Sequence, residues 1–192
     1  MRCARKSTNS AFTTFSDDSG GAFKDGLHFR GFAHNLPLMA LEYRLMRPEE
    51  ASEVCKLVEV VFDHYEAPEY SPEGIAEFRR YNRPEEMIKR SNSGHFALVA
   101  ADAQSVIGII EIRNNRHISM FFIAQGFQGK GIGRQLWHYA LKKSQDADNS
   151  VREFTVNSSP YGVPIYEKLG FCKTSPEQVR NGLRFIPMTM RL

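Results

Sequence analysis

The chain has 192 residues, which suits one domain with a real core, or one domain plus an arm. Hydrophobic residues make up 42%, and no apolar run reaches the ~18 residues a membrane span needs, so no membrane association is expected. A net charge of +3 is too mild for a nucleic-acid surface but suits an anionic ligand.

Residues 1–40 mix Ser, Thr, Gly, Asp and Phe without a period and contain no secretory h-region. Arg2, Arg5 and Lys6 hint at a transit peptide, and Asp17, Asp18 and Asp25 argue against one. The segment reads as an N-terminal extension poorly specified by its own sequence, and an arm over a partner subunit is the sharper alternative. Residues 41–192 read as the domain. Cys3, Cys55 and Cys172 are odd in number and far apart, and no Cys-x-x-Cys occurs. That spacing supports neither a zinc site nor a disulfide framework, and a reducing, cytoplasmic setting is the expectation.

Leu41 to Met46 alternates as a half-buried strand. Pro48 opens a helix with Glu49 and Glu50 in its first turn, and Ala51, Val54, Cys55, Val58, Val61, Phe62 and Tyr65 form its apolar face. Ser71-Pro72 starts a second helix running to about Tyr81, and Pro84 with Glu85 and Glu86 starts a short third one. These helices carry Tyr65, Tyr70, Phe78 and Tyr81, which are core candidates. The acidic residues Glu59, Asp63, Glu66 and Glu69 would suit a small cationic amine.

Three strands follow closely: 95–101, a turn at 102–104, 105–113, then an Asn114-Asn115 hairpin into 117–123. Next come Gln128-Gly129-Lys130-Gly131-Ile132-Gly133 and a helix marked by Ile132, Leu136, Trp137, Ala140 and Leu141. Glycines at a helix mouth bare the unpaired N–H groups of the first turn, where the positive dipole end favours a phosphate. The spacing fits neither a P-loop nor the dinucleotide fingerprint. Lys130 and Arg134 add positive charge there, while Lys142 and Lys143 suit the helix C-terminus. A strand at 151–158, a short helix at 164–169 ended by Gly170, and strands at 171–173 and 185–191 complete the chain. The order gives an α+β fold: a mixed sheet with helices on both faces.

Gln-x-x-Gly-x-Gly between strand and helix resembles the acyl-coenzyme A signature of the GCN5-related N-acetyltransferase (GNAT) superfamily. Ile165-Tyr166-Glu167-Lys168-Leu169-Gly170-Phe171 resembles the family's closing helix-to-strand junction. The resemblance covers roughly residues 41–192. It implies the acetyltransferase fold, with a mostly antiparallel six- to seven-stranded sheet whose fourth and fifth strands splay apart to admit the pantetheine arm. It implies acetyl-CoA as cofactor, held by Gln128, Gly129, Lys130, Gly131, Ile132, Gly133 and Arg134, by backbone near Phe122 and Ile123, and by Asn157. It implies that Tyr166 contacts the cofactor and protonates the leaving thiolate.

An amine of pKa ~10.4 must be neutralised before it attacks, so a general base is sought. Glu111, a lone carboxylate amid Ile107-Gly108-Ile109-Ile110, is the first candidate, with His117 second. The expected activity is acetyl transfer to a small-molecule or peptide amine, with no nucleic acid or membrane partner and a possible homodimer. The alternative is a non-catalytic acyl-CoA-binding regulatory domain with the same fold.

Overall fold

The computed structural model describes residues 41–192; the extension read at 1–40 lies outside the described residues. The described chain runs β1 (Glu42–Leu45), α1 (Ala51–Tyr65), α2 (Pro72–Tyr81), α3 (Pro84–Ser91), β2 (His95–Ala101), β3 (Val106–Arg113) and β4 (His117–Ile123). It continues with α4 (Ile132–Ala147), β5 (Glu153–Ser158), α5 (Val163–Lys168), β6 (Cys172–Lys173), β7 (Gln178–Arg180) and β8 (Leu183–Arg191). The strand order is β1-β2-β3-β4-β5-β8-β6, with β7 paired to β8. All neighbours are antiparallel except β4 and β5, which are parallel.

Local chemistry explains the element ends. The Ser71 hydroxyl accepts from Gly74 N at 3.2 Å and caps α2. Asn114 and Asn115 take φ of 50° and 56°, the left-handed pair a two-residue hairpin needs. At the end of α5 Gly170 has φ 98°, Gly170 N donates to Glu167 O, and Phe171 N donates to Tyr166 O. This is a Schellman ending, with the Tyr166 and Phe171 rings packed 5.5 Å apart as its apolar contact.

The sheet separates two cores. On one face α4 sets Ile132, Leu136, Trp137 and Ala140 against Ile110, Ile112, Ile118, Phe154 and Val156. On the other, Val54, Val58 and Phe62 of α1 and Met87 of α3 cover Val99, Ile109, Met120 and Phe122. Truncating a fully buried ring such as Phe154 costs about 3–5 kcal/mol by transfer plus cavity.

One feature departs from the sequence reading. An eighth strand, β7, forms a hairpin with β8 through Asn181 (φ 50°) and Gly182 (φ 74°). That turn backs onto α2: a Cβ on Gly74 would collide with the Gly182 carbonyl, and Tyr70 Oη donates to Arg184 O at 3.1 Å. Cys55 is free and buried on the apolar face of α1, as its spacing predicts.

Candidate active site

The chain leaves β4 at Ile123, makes one turn of 3₁₀ helix at Gln125–Phe127, and enters α4 through the glycine segment. Gly129 and Gly131 have φ of 74° and 83°, which disfavours any side chain there. A Cβ at either would meet nothing within 4 Å, so the space before the turn is open. Gln128 N donates to Gln125 O, and Gln135 N donates to Gly131 O. Between them, the N–H groups of residues 129–134 have no acceptor among the described residues. They stand at the positive end of a 16-residue helix, entered through the left-handed Gly129 and Gly131. Lys130 and Arg134 are exposed beside them and form no ion pair among the described residues. Gly133 differs, since a Cβ there would make ordinary van der Waals contact with the Phe121 ring at 3.4 Å.

A gap opens from this turn between β4 and β5. The two strands pair only at His117 with Thr155 and Ile118 with Val156. The break falls at Ser119, where Glu111 pairs with Met120 while Ile112 pairs with Ile118, leaving Ser119 as a bulge. The bulge flips the side chains. Ile118 packs on the α4 face, Met120 and Phe122 on the α1 face, and Phe121 and Ile123 return toward α4. It flips the backbone too. Ala124 N donates to Ile107 O, so the alternation of an antiparallel pair commits the amide of Phe122 to β3. The N–H and C=O groups of Phe121 and Ile123 then point toward the gap. The amide of Phe122 is therefore committed to the ladder, and the backbone groups that face the gap are those of Phe121 and Ile123. The Gln128 side chain donates to Ile123 O at 3.0 Å and ties the turn to the strand end.

Tyr166 borders the gap from α5, its ring 6.2 Å from Phe121. It is 9% exposed, and its hydroxyl has no hydrogen-bond partner among the described residues. Burial, helped by the charge of Glu66, pushes its pKa above the usual phenol value, so it stays protonated. The loop before α5 is tightly built: a Cβ on Gly162 would press on the Ser158 and Ser159 hydroxyls. Asn157 is exposed at the end of β5, beyond the last β4–β5 pair.

The two base candidates lie elsewhere. Glu111 is fully buried, and both its oxygens are held by Arg90, Nε–Oε1 at 2.8 Å and Nη2–Oε2 at 3.2 Å. His95 Nδ1 lies 3.0 Å from Oε1, and Arg90 also bonds Tyr81 O and covers the Tyr81 ring. Glu111 therefore sits opposite Met120, on the α3 side, roughly 10 Å along β4 from Ile123. A carboxylate held this way has no free oxygen for an amine. His117 lies about 20 Å from Ile123 at the paired end of β4, with Nδ1 2.8 Å from Thr155 Oγ1. Burial lowers its pKa to about 4, so it is neutral.

Sequence reasoning missed Glu66 as a titrating group. It follows α1 directly, its N–H bonded to Phe62 O. Desolvation raises its pKa to about 7. Of the other acidic residues, Glu59 and Asp63 are spent on Arg79. The signal in the sequence was a glutamate at a helix end beside aromatic residues, which does not report its burial.

Free amides at a helix mouth, an open strand gap and an unpartnered buried phenol fit a diphosphate-bearing thioester. The chain matches the model of the acetyltransferase (GNAT) domain over residues 66–192. The chain belongs to this family. Among solved structures, the acetyltransferase is similar to a GCN5-related N-acetyltransferase of Rhodopseudomonas palustris, with a TM-score of 0.67 and 22% identity, covering 79% of this chain and 95% of that one. It is similar also to the PaiA N-acetyltransferase of Thermoplasma acidophilum in complex with coenzyme A, with a TM-score of 0.67 and 20% identity, covering 80% and 100%. These likenesses show the acetyltransferase fold. A UPF0039 protein of Schizosaccharomyces pombe is 32% identical over 62 residues, which are 32% of this chain and only 41% of that relative's length. Among the described residues, no helix is long and apolar enough to cross a membrane, and no group of three His, Cys, Asp or Glu could hold a metal.

Proposed function

We infer that the protein is an acetyl-CoA-dependent N-acetyltransferase that moves an acetyl group to an amine by direct attack on the thioester. One observation carries this reading: the free amides of residues 129–134 open onto the gap beside Ile123, and Tyr166 borders the same gap. Acetyl-CoA would supply an acetyl group already activated as a thioester. The amides of Gly129 to Arg134, with the Lys130 and Arg134 side chains, would hold its diphosphate. The backbone of Phe121 and Ile123 would pair with the pantetheine amides as an added strand does, with Asn157 beside it. The Ile123 N–H would also polarise a carbonyl in the gap. Fixed geometry of this kind can supply ~7 kcal/mol or more of a transfer barrier. Tyr166, protonated at neutral pH, would donate to the leaving sulfur. Glu111 serves the fold instead.

A purely regulatory acyl-CoA-binding domain would need no phenol at the gap, and the Tyr166 ring, largely buried, stands 6.2 Å from Phe121 there, which favours turnover. Thiol release from acetyl-CoA, screened across amines, amino acids and peptides, tests the activity. Thermal shift with coenzyme A tests binding alone. We expect a shift with wild type and with Tyr166→Phe, and turnover reduced ~10²-fold or more in the variant. A shift without turnover for any amine would establish the regulatory reading instead.

A further inference from the structure

We propose that the Gln128 side chain is a positioning residue for acetyl transfer: its bond to the Ile123 carbonyl fixes the amides that hold the cofactor's diphosphate against the strand edge that holds its thioester arm. The proposal rests on the acetyl-transfer reading above and extends it to how the two ends of the cofactor are kept in register.

The strand β4 ends at Ile123 and α4 begins at Ile132, so residues 124–131 join them. Hydrogen bonds make the first half of that connection a closed bracket. Ala124 N donates to Ile107 O at 2.9 Å and fastens it to β3, and Phe127 N donates to Ala124 O at 2.9 Å within the 3₁₀ turn. Gln128 Nε2 then reaches back over the turn and donates to Ile123 O at 3.0 Å. The Phe127 side chain packs against the core beneath α4. Among the described residues, Gln128 alone of 124–131 bonds β4 through its side chain, and it does so immediately before the left-handed Gly129.

The carbonyl it takes is a particular one. Pairing between β4 and β5 ends at Ile118 with Val156, so β5 supplies no donor to the outward C=O of Ile123. A backbone acceptor at such a break needs a donor from elsewhere, and Gln128 is that donor. A carbonyl oxygen has two lone pairs, so Ile123 O has room for Gln128 and for a pantetheine amide together.

Binding energy gained at the diphosphate speeds the chemical step only where it is realised at the reacting carbonyl. The pantetheine chain between the two is flexible, so the aim has to come from the protein. A fixed link from the glycine turn to the strand edge gives that aim, and a misplacement of about 1 Å can cost ~10²-fold in rate. Gln128 itself exchanges no proton and forms no covalent bond.

The test uses the full chain as wild type, Gln128→Met and Gln128→Arg, with an amine taken from the thiol-release screen. Methionine is nearly as long as glutamine and donates no hydrogen bond, whereas arginine keeps N–H donors. The first readout is kcat with acetyl-CoA beside the Kd of coenzyme A. Gln128→Met should lose ~10-fold or more in kcat. Its Kd should change less, because the amides of 129–134 remain, and Gln128→Arg should recover most of the rate. The second readout replaces acetyl-CoA by S-acetylpantetheine, which lacks the diphosphate and gains nothing from the turn. The preference for acetyl-CoA in kcat/KM should shrink ~10-fold in Gln128→Met and return in Gln128→Arg. A residue that served only the fold would lower the melting temperature and depress both donors in proportion. Equal proportional loss with the two donors, wild-type kcat in Gln128→Met, or no recovery in Gln128→Arg overturns the proposal while the coenzyme A thermal shift of wild type persists. Absence of that shift, or of thiol release with every amine, would instead overturn the acetyl-transfer reading, and this proposal with it.

Discussion

Arg90 reaches Glu111 from α3 with two nitrogens, and His95 approaches the same carboxylate from β2. Removing one partner of such a pair strands the other charge in the core, at a cost of about 3–5 kcal/mol. Arg90→Ala should therefore lower unfolding free energy in urea by that order. Glu111→Gln should act mainly on stability, with kcat/KM per folded molecule close to wild type. A stable but inactive Glu111→Gln protein would restore the base role. Glu111 was legible in the sequence as a lone carboxylate in an apolar run, but its environment was not. Its partner stands 21 residues earlier, on an element whose packing the β3 pattern does not encode. Glu66 was legible only as one of several acidic residues. What separates it from Glu59 and Asp63 is that Arg79 reaches those two.

At the scale of elements, the turn between β4 and α4 was readable because glycine spacing directly reports backbone freedom. Gly131 takes φ 83°, and an L side chain there costs roughly 1–2 kcal/mol. Gly131→Ala should weaken coenzyme A binding more than it weakens the fold, because the strained turn re-aims its N–H groups while the core beneath it is untouched. Isothermal titration beside a thermal melt separates the two effects, and an unchanged Kd would count against the turn as the anchor. The bulge at Ser119 was not readable. The strand ends in a continuous apolar run, Met120 to Ile123, which carries no mark of an inserted residue, and only the partners of Glu111 and Ile112 reveal it. The β7–β8 hairpin was readable and missed: Asn181-Gly182 is the strongest short hairpin signal, but the flanking residues Gln178–Arg180 are exposed and mostly polar. Its docking on α2 gives a stability prediction. Gly74→Ala forces the two backbones apart and should lower the melting temperature, whereas Ser71→Ala, which loses only a cap, should cost about 1 kcal/mol.

Across the whole molecule, one sheet does two jobs. Its first four strands and β5 with β8 are two well-paired halves, each closed by apolar faces. The seam between them is the parallel β4–β5 pair, which holds for two residues and then opens. The strand succession, the mixed sheet and the helices on both faces followed from periodicity and turn residues. The width of the seam did not, because it depends on the register shift at Ser119. Family membership adds the acetyltransferase chemistry to this frame. The most direct measurement is the backbone amide spectrum of the labelled protein titrated with coenzyme A. The account predicts the largest shifts at Gly129 to Arg134, then at Phe121 and Ile123, with Phe122 and Glu111 little changed. Binding that leaves the amides of 129–134 unmoved would contradict it.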